Sequence, residues 1–146
     1  MPDVAITTDV IVGFPGENEE DFKETCELIK KIKFSRLHVF PYSVHKRTAS
    51  AKLPDKIAET EIKRRAKELR KIGKKLQEDY RKKFVGQKLE IVVERVKRAK
   101  AVKRAKDKKN EELVVGKTEY YFTVDYKLNK KTSNNLIGKI IKVKIC

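Results

Sequence analysis

Apolar positions along this chain change period twice, and the changes divide it. The first run, Thr8–Phe14, is nearly continuous through Val10, Ile11 and Val12 and stops at Pro15-Gly16. A short β-branched run closed by turn residues predicts a strand, and its continuity predicts burial on both faces, as in a parallel sheet. Over Glu19–Lys33 the period becomes helical, with Phe22, Cys26, Ile29 and Ile32 on one stripe. Asn18 stands where an N-cap belongs. Glu17, Glu19, Glu20 and Asp21 crowd the first turn, and Lys30, Lys31 and Lys33 the last, the charge order that a helix dipole favours. Leu37–Phe40 is the next apolar strand, ended by Pro41. Strand, helix, strand is the unit of a parallel sheet with helices outside. In such sheets ligands bind in the loops at the carboxyl ends of the strands. Residues 43–57 have no period and read as a loop.

The longest helical pattern follows. Ile62, Ala66, Leu69, Ile72, Leu76, Tyr80 and Phe84 recur at three- and four-residue steps through Ala58–Phe84, and Lys and Arg fill most of the remaining positions. Gly73 interrupts the pattern at a cost of about 1 kcal/mol relative to Ala, which the length absorbs. Gly86 is the expected C-cap. Beyond it the period falls to 2. Leu89, Ile91 and Val93 alternate with Lys88, Glu90 and Val92; Leu113–Val115 and Tyr120–Val124 follow; Ile141, Val143 and Ile145 alternate with Lys142 and Lys144. Several short strands without an intervening helix predict a small antiparallel β-barrel, whose closure would remove exposed edges. The chain therefore divides into 1–57, a basic linking helix 58–85 and a β-module 86–146.

Charge sharpens this division. Of 146 residues, 37 are basic and 21 acidic, a formal net charge of +16. Residues 1–57 hold nine of each sign, 58–85 hold eleven basic against five acidic, and 86–146 hold seventeen against seven. The positive field belongs to the C-terminal part, and a polyanion is the partner it implies. A Lys-rich solubility surface is the plain alternative. A membrane-spanning segment has no support, since no apolar run approaches the roughly 20 residues a bilayer needs. With no charged-then-apolar leader pattern either, a cytoplasmic protein is expected. The densest charge lies at Lys97–Lys109, where eight of thirteen residues are basic and Val96–Ala101 is nearly repeated as Val102–Asp107. Its composition fits a basic β-ribbon and a short helix equally. Tyr120, Tyr121, Phe122 and Tyr126 interleave with Lys117, Lys127, Lys130 and Lys131, a setting in which aromatic faces stack unpaired bases. Strand alternation gives the opposite reading for part of it: of Tyr121 and Phe122, one is core and one surface.

Candidate chemistry is sparse. Cys26 sits at an apolar helical position and Cys146 is the last residue, so neither a metal motif nor a disulfide framework is present. His38 reads as a packed strand residue and His45 as a solvated or RNA-facing one, with no nucleophilic dyad expected. Asp9 and Glu17 are too few to specify acid–base catalysis or a magnesium site.

Two stretches are specific enough to carry a resemblance. Thr8-Asp9-Val10-Ile11-Val12-Gly13-Phe14-Pro15-Gly16-Glu17-Asn18-Glu19-Glu20-Asp21-Phe22 resembles the fifth barrel strand and following turn of the radical-SAM methylthiotransferases, enzymes that modify tRNA. Phe34–Ser43 resembles their sixth strand, and Leu37-His38-Val39-Phe40-Pro41-Tyr42 is most like the branch acting on threonylcarbamoyladenosine. Thr48–Pro54 is similar to the family's Gly-Thr-Pro-Ala-Ala linker, with Arg47 in place of the glycine. Residues 58–84 match the segment joining barrel to terminal module, and 86–146 are similar to a TRAM domain, a small β-barrel that binds tRNA. Two features depart from the pattern. The cluster-binding CxxxCxxC is missing, and the basic stretch 97–109 and Tyr120 differ from the family's barrel.

The resemblance implies a fold: the C-terminal strands of a partial TIM barrel, a linking helix and a TRAM barrel. It implies S-adenosylmethionine and two [4Fe–4S] clusters in the complete enzyme, with none bound to this chain alone. Ile11, Val12 and Gly13 would line the adenine side of the S-adenosylmethionine pocket, with Phe40 and Tyr42 nearby. Lys97, Arg98, Lys103, Arg104, Lys117 and Tyr120 would meet RNA. No catalytic residue and no metal ligand is expected in the chain. Its partners would be tRNA at the anticodon region and the N-terminal part of the enzyme, in cis or as a separate chain. The competing reading is a stand-alone basic nucleic-acid-binding module without catalysis.

Overall fold

The computed structural model describes residues 3–98, 112–128 and 136–146. Contacts group the chain into two compact units, Ala5–Lys83 and Phe84–Cys146, the latter taking in Asp3 and Val4.

The first unit runs β1 (Thr7–Val12), α1 (Glu19–Ile32), β2 (Arg36–Pro41), a 3-10 turn at Ala49–Lys52, and α2 (Glu59–Lys82). The two strands are parallel, with Thr7 opposite Arg36 and Val12 opposite Pro41. Local chemistry sets α1: the Asn18 side chain accepts from the N–H groups of Glu20 and Asp21, and the Asp21 carboxylate accepts from the Asn18 N–H. This reciprocal capping box satisfies donors that the helix itself leaves free. Val12, Phe22, Cys26, Ile29, Ala66 and Leu69 form the buried core, with Val10, Leu37, Val39 and Ile72 packed against it. Both helices thus cover one face of the sheet. At Gly73 α2 comes close to β2: a Cβ there would lie 3.0–3.3 Å from Leu37 side-chain atoms.

Among the described residues nothing covers the other face of these strands. Ile11 and Phe40 are opposite each other in register and are 59% and 49% exposed. This corrects the expectation of burial on both faces. Burial along β1 alternates, because among the described residues helices pack on one side only.

The second unit is a four-stranded antiparallel sheet in the order β5-β4-β3-β6, built from β3 (Lys88–Arg98), β4 (Glu112–Thr118), β5 (Thr123–Leu128) and β6 (Ile140–Lys144). The period of 2 does what it predicts here: Leu89, Ile91 and Val93 are buried while Lys88, Glu90 and Val92 face out. A bulge between Val93 and Arg95 shifts the β3–β4 register. The sheet is curled, compatible with a small β-barrel. Closure between β5 and β6 is not seen among the described residues. Phe84 belongs to this core, its ring centroid 4.3 Å from that of Tyr120 and 5.3 Å from that of Phe122. The apolar stripe of α2 therefore ends before Phe84, and Gly86, at φ +86°, lies in the turn into β3 with its N–H on the Ile145 carbonyl. From Ala99 to Glu111 the basic stretch lies outside the described residues.

Candidate functional site

The β1–α1 turn is held from several directions. Gly13 has φ +77°, where a side chain is strained, and a Cβ there would collide with Ile62 of α2. The Glu17 carboxylate folds back to accept from the N–H groups of Gly13 and Phe14. Arg65 of α2 is ion-paired with that carboxylate at 3.0 Å and donates to the Glu17 carbonyl and to the Glu61 carboxylate, each at 2.9 Å. Arg65 is 4% exposed, and a charge so buried is tolerable only because it is paired and hydrogen-bonded on several sides. Arg64 extends the network to Glu19, Glu61 and Glu68. Its hydrogen bonds, followed by those of Arg65, hold the Glu61 carboxyl down to about 2. The Gly16 N–H donates to the Asp55 carbonyl at 3.0 Å, which ties the turn to the loop before α2.

Beside this turn is a cleft of about 420 Å³, lined by Gly13, Pro15, Tyr42, Ser43, Lys56 and Ile62 among others. The Tyr42 N–H donates to the Val12 carbonyl, and its ring meets Phe14 edge-on at 5.3 Å. The Tyr42 hydroxyl is buried and has no hydrogen-bond partner among the described residues. Of the five residues assigned to a cofactor wall, the structure places Gly13 and Tyr42 together in this cleft. Val12 lies in the helix-side core, and Ile11 and Phe40 lie on the bare sheet face. A mainly apolar cleft of this size fits the nucleoside part of a ligand. The described residues do not offer the ligands of an iron–sulfur cluster. Cys26 is buried in the core with its thiol pushed up by burial, Cys146 is the terminal residue, and the described residues hold no group of three His, Cys, Asp or Glu suited to a metal.

His45 Nε2 lies 3.5 Å from the Ser43 hydroxyl on an exposed loop. That is the outer limit of a hydrogen bond, and the pair does not make an activated nucleophile. The described residues contain no helix long and apolar enough to cross a membrane.

On the second unit, Lys97 is exposed near the end of β3, and the Arg98 backbone closes that strand. Lys103 and Arg104 lie outside the described residues. The Lys117 ammonium stands 5.3 Å from the centroid of the Tyr121 ring. Tyr120 is half-buried with its ring on Phe84, whereas Tyr121 is 66% exposed and Phe122 is core. Of Tyr121 and Phe122 one ring is surface and one core, as strand alternation requires, although alternation alone does not say which. Arg65 was missed, although its spacing of four from Glu61 announces an ion pair.

Comparison with known proteins supplies relatives. No protein-family model matches the chain. The threonylcarbamoyladenosine tRNA methylthiotransferase of Bacillus subtilis is 39% identical over 145 residues, 99% of this chain and 30% of that protein. The tRNA-2-methylthio-N(6)-dimethylallyladenosine synthase of Acetivibrio thermocellus is 33% identical over 145 residues, 27% of its length. The ribosomal protein uS12 methylthiotransferase of Myxococcus xanthus is 44% identical over 94 residues, 64% of this chain and 20% of that protein. Along nearly its whole length the chain matches the C-terminal part of methylthiotransferases. It spans 20–30% of the length of these relatives.

Proposed function

We propose that this chain serves a radical-SAM tRNA methylthiotransferase that adds a methylthio group at carbon 2 of threonylcarbamoyladenosine beside the anticodon. The observation that carries the branch is the match along nearly the whole chain, 39% identical to the threonylcarbamoyladenosine enzyme against 33% for the dimethylallyladenosine enzyme over an equal length. In this reading β1, β2 and their helices are the last part of a partial TIM barrel. Their bare face, with Ile11 and Phe40, would turn to the barrel interior, and Gly13 and Tyr42 would form one wall of the S-adenosylmethionine pocket. S-adenosylmethionine supplies the radical initiator and the methyl group when bound. The chain's own part is to shape the pocket wall: Glu17 and Arg65 hold the Gly13 turn, and the Tyr42 hydroxyl offers one hydrogen bond. The [4Fe–4S] clusters would be held outside these residues, so the chain alone is inactive. Residues 86–146 act as the TRAM-like module that grips tRNA, in the cytoplasm.

A second reading, a basic nucleic-acid-binding module without chemistry, draws on the compactness of Phe84–Cys146 and the positive charge concentrated there. Mass spectrometry of tRNA nucleosides separates the two. Cells lacking the gene should lose the 2-methylthio group from threonylcarbamoyladenosine while retaining the unthiolated nucleoside. An unchanged nucleoside profile would assign the chain to the module.

A further inference from the structure

The hairpin joining β4 to β5 ends in an unusual way. Thr118 and Phe122 close it, with the Thr118 N–H and hydroxyl both donating to the Phe122 carbonyl, and Glu119–Tyr121 make a three-residue loop. Loops of this length place their last residue in the left-handed region, a position suited to glycine or asparagine. Here it is Tyr121, at φ +62°. A bulky side chain held in that region is strained, and strain of this kind gathers at binding sites. The strained residue is also the aromatic ring most exposed to solvent, at 66%.

The ring borders a second cleft, of about 430 Å³, on the outer face of the sheet. Val92 and Ile140, opposite each other in register and 46% and 63% exposed, are its apolar surface. Lys117, opposite Val92 on β4, lies over the Tyr121 ring. Glu90, Glu94 and Glu119 bring carboxylates to the lining, beside Ile91 and Thr118, and Glu90 is paired with Lys142 at 3.3 Å. An acidic rim around an apolar surface repels phosphate. It accepts hydrogen bonds from the amino and imino N–H groups of a nucleobase. The surrounding unit, seventeen basic residues against seven acidic, attracts the backbone that carries such a base.

We propose that Tyr121, with Val92 and Ile140, forms a pocket for a single unpaired RNA base, stacked on the tyrosine ring and edged by carboxylates. This rests on the reading of residues 86–146 as an RNA-binding module and goes beyond it by separating base recognition at Tyr121 from phosphate contact elsewhere. The test is titration of the 146-residue chain with short single-stranded RNA of mixed sequence, and with the same RNA carrying abasic positions. Tyr121→Gly should raise the melting temperature by relieving the backbone while weakening RNA binding about 5- to 150-fold, the range of one lost base stack. Tyr121→Trp should retain most of the affinity, and abasic RNA should bind parent and Tyr121→Gly alike. An equal affinity of Tyr121→Gly and parent for intact RNA would overturn the pocket while leaving the RNA-binding reading in place. Failure of the parent to bind any RNA at low salt would overturn both. Self-association of the parent that Tyr121→Gly abolishes would give the cleft to a second copy and overturn the proposal.

Discussion

Arg65 and Glu17 show how a short loop acquires a defined shape. Glu17 lies in the acidic run before α1, where charge pattern alone assigns it to the helix dipole. Its carboxylate instead turns back onto Gly13 and Phe14 and meets a guanidinium 48 residues away. The same network gives Glu61 a pH dependence. Hydrogen bonds from Arg64 and then Arg65 lower its pKa from 4.5 to about 2, so folding favours its charged form. Stability from this group is therefore fully present above its ordinary value and is lost as pH falls toward 2. Thermal melts of parent and Glu61→Gln should differ at pH 7 and converge near pH 2. A gap that stays constant across this range would show that the ion pairs do not contribute.

Helix α2 is the element on which the first unit depends. Its 3.6-residue stripe was readable, and Ala66 and Leu69 are buried at 1% and 0% exposure. An uncompensated carboxylate at Leu69 would cost several kcal/mol, comparable with the stability of a small domain, so Leu69→Asp should unfold or aggregate the chain. Gly73, which pattern alone marks as a weak point, is a contact point with Leu37. Gly73→Ala should be close to neutral, since a helix-propensity gain of about 1 kcal/mol opposes crowding against Leu37. Gly73→Leu should destabilise by about 1–3 kcal/mol through overpacking. Chemical denaturation of the three variants checks this, and a Gly73→Leu protein as stable as the parent would show that α2 can move off β2. The capped start of α1 was equally legible because Asn18 and Asp21 act within one turn. The far end of α2 was not, because Phe84 continues the helical spacing but is buried against Tyr120 and Phe122.

The chain as a whole pairs an α/β unit, Ala5–Lys83, that holds twenty basic residues against thirteen acidic with a β unit that is more basic still, at seventeen against seven. Binding of the 146-residue protein to tRNA should fall steeply with salt, with a log–log slope of about −0.9 per phosphate contacted in duplex and −0.7 in single strands. Reversing the charges of Lys97, Arg98, Lys103 and Arg104 together should flatten that slope. Filter binding over a salt series measures both quantities, and an unaltered slope would remove this stretch from the RNA surface.

Periodicity, cap chemistry and charge distribution were enough to place the strand–helix–strand unit, the long helix, the period-2 sheet and the basic end of the molecule. All of these follow from interactions within a few residues or from simple counting. The bare face of β1 and β2 was not readable, because a continuous apolar run is the same whether one side or both are covered. Nor was the choice of Tyr121 over Tyr120 as the exposed ring, which depends on a three-residue loop and on Phe84 taking one of the two tyrosines into the core. The clasp of Arg65 on Glu17 joins residues far apart in the chain. Such contacts exist only once packing has brought α2 against the β1–α1 turn, and that is a property of the folded chain.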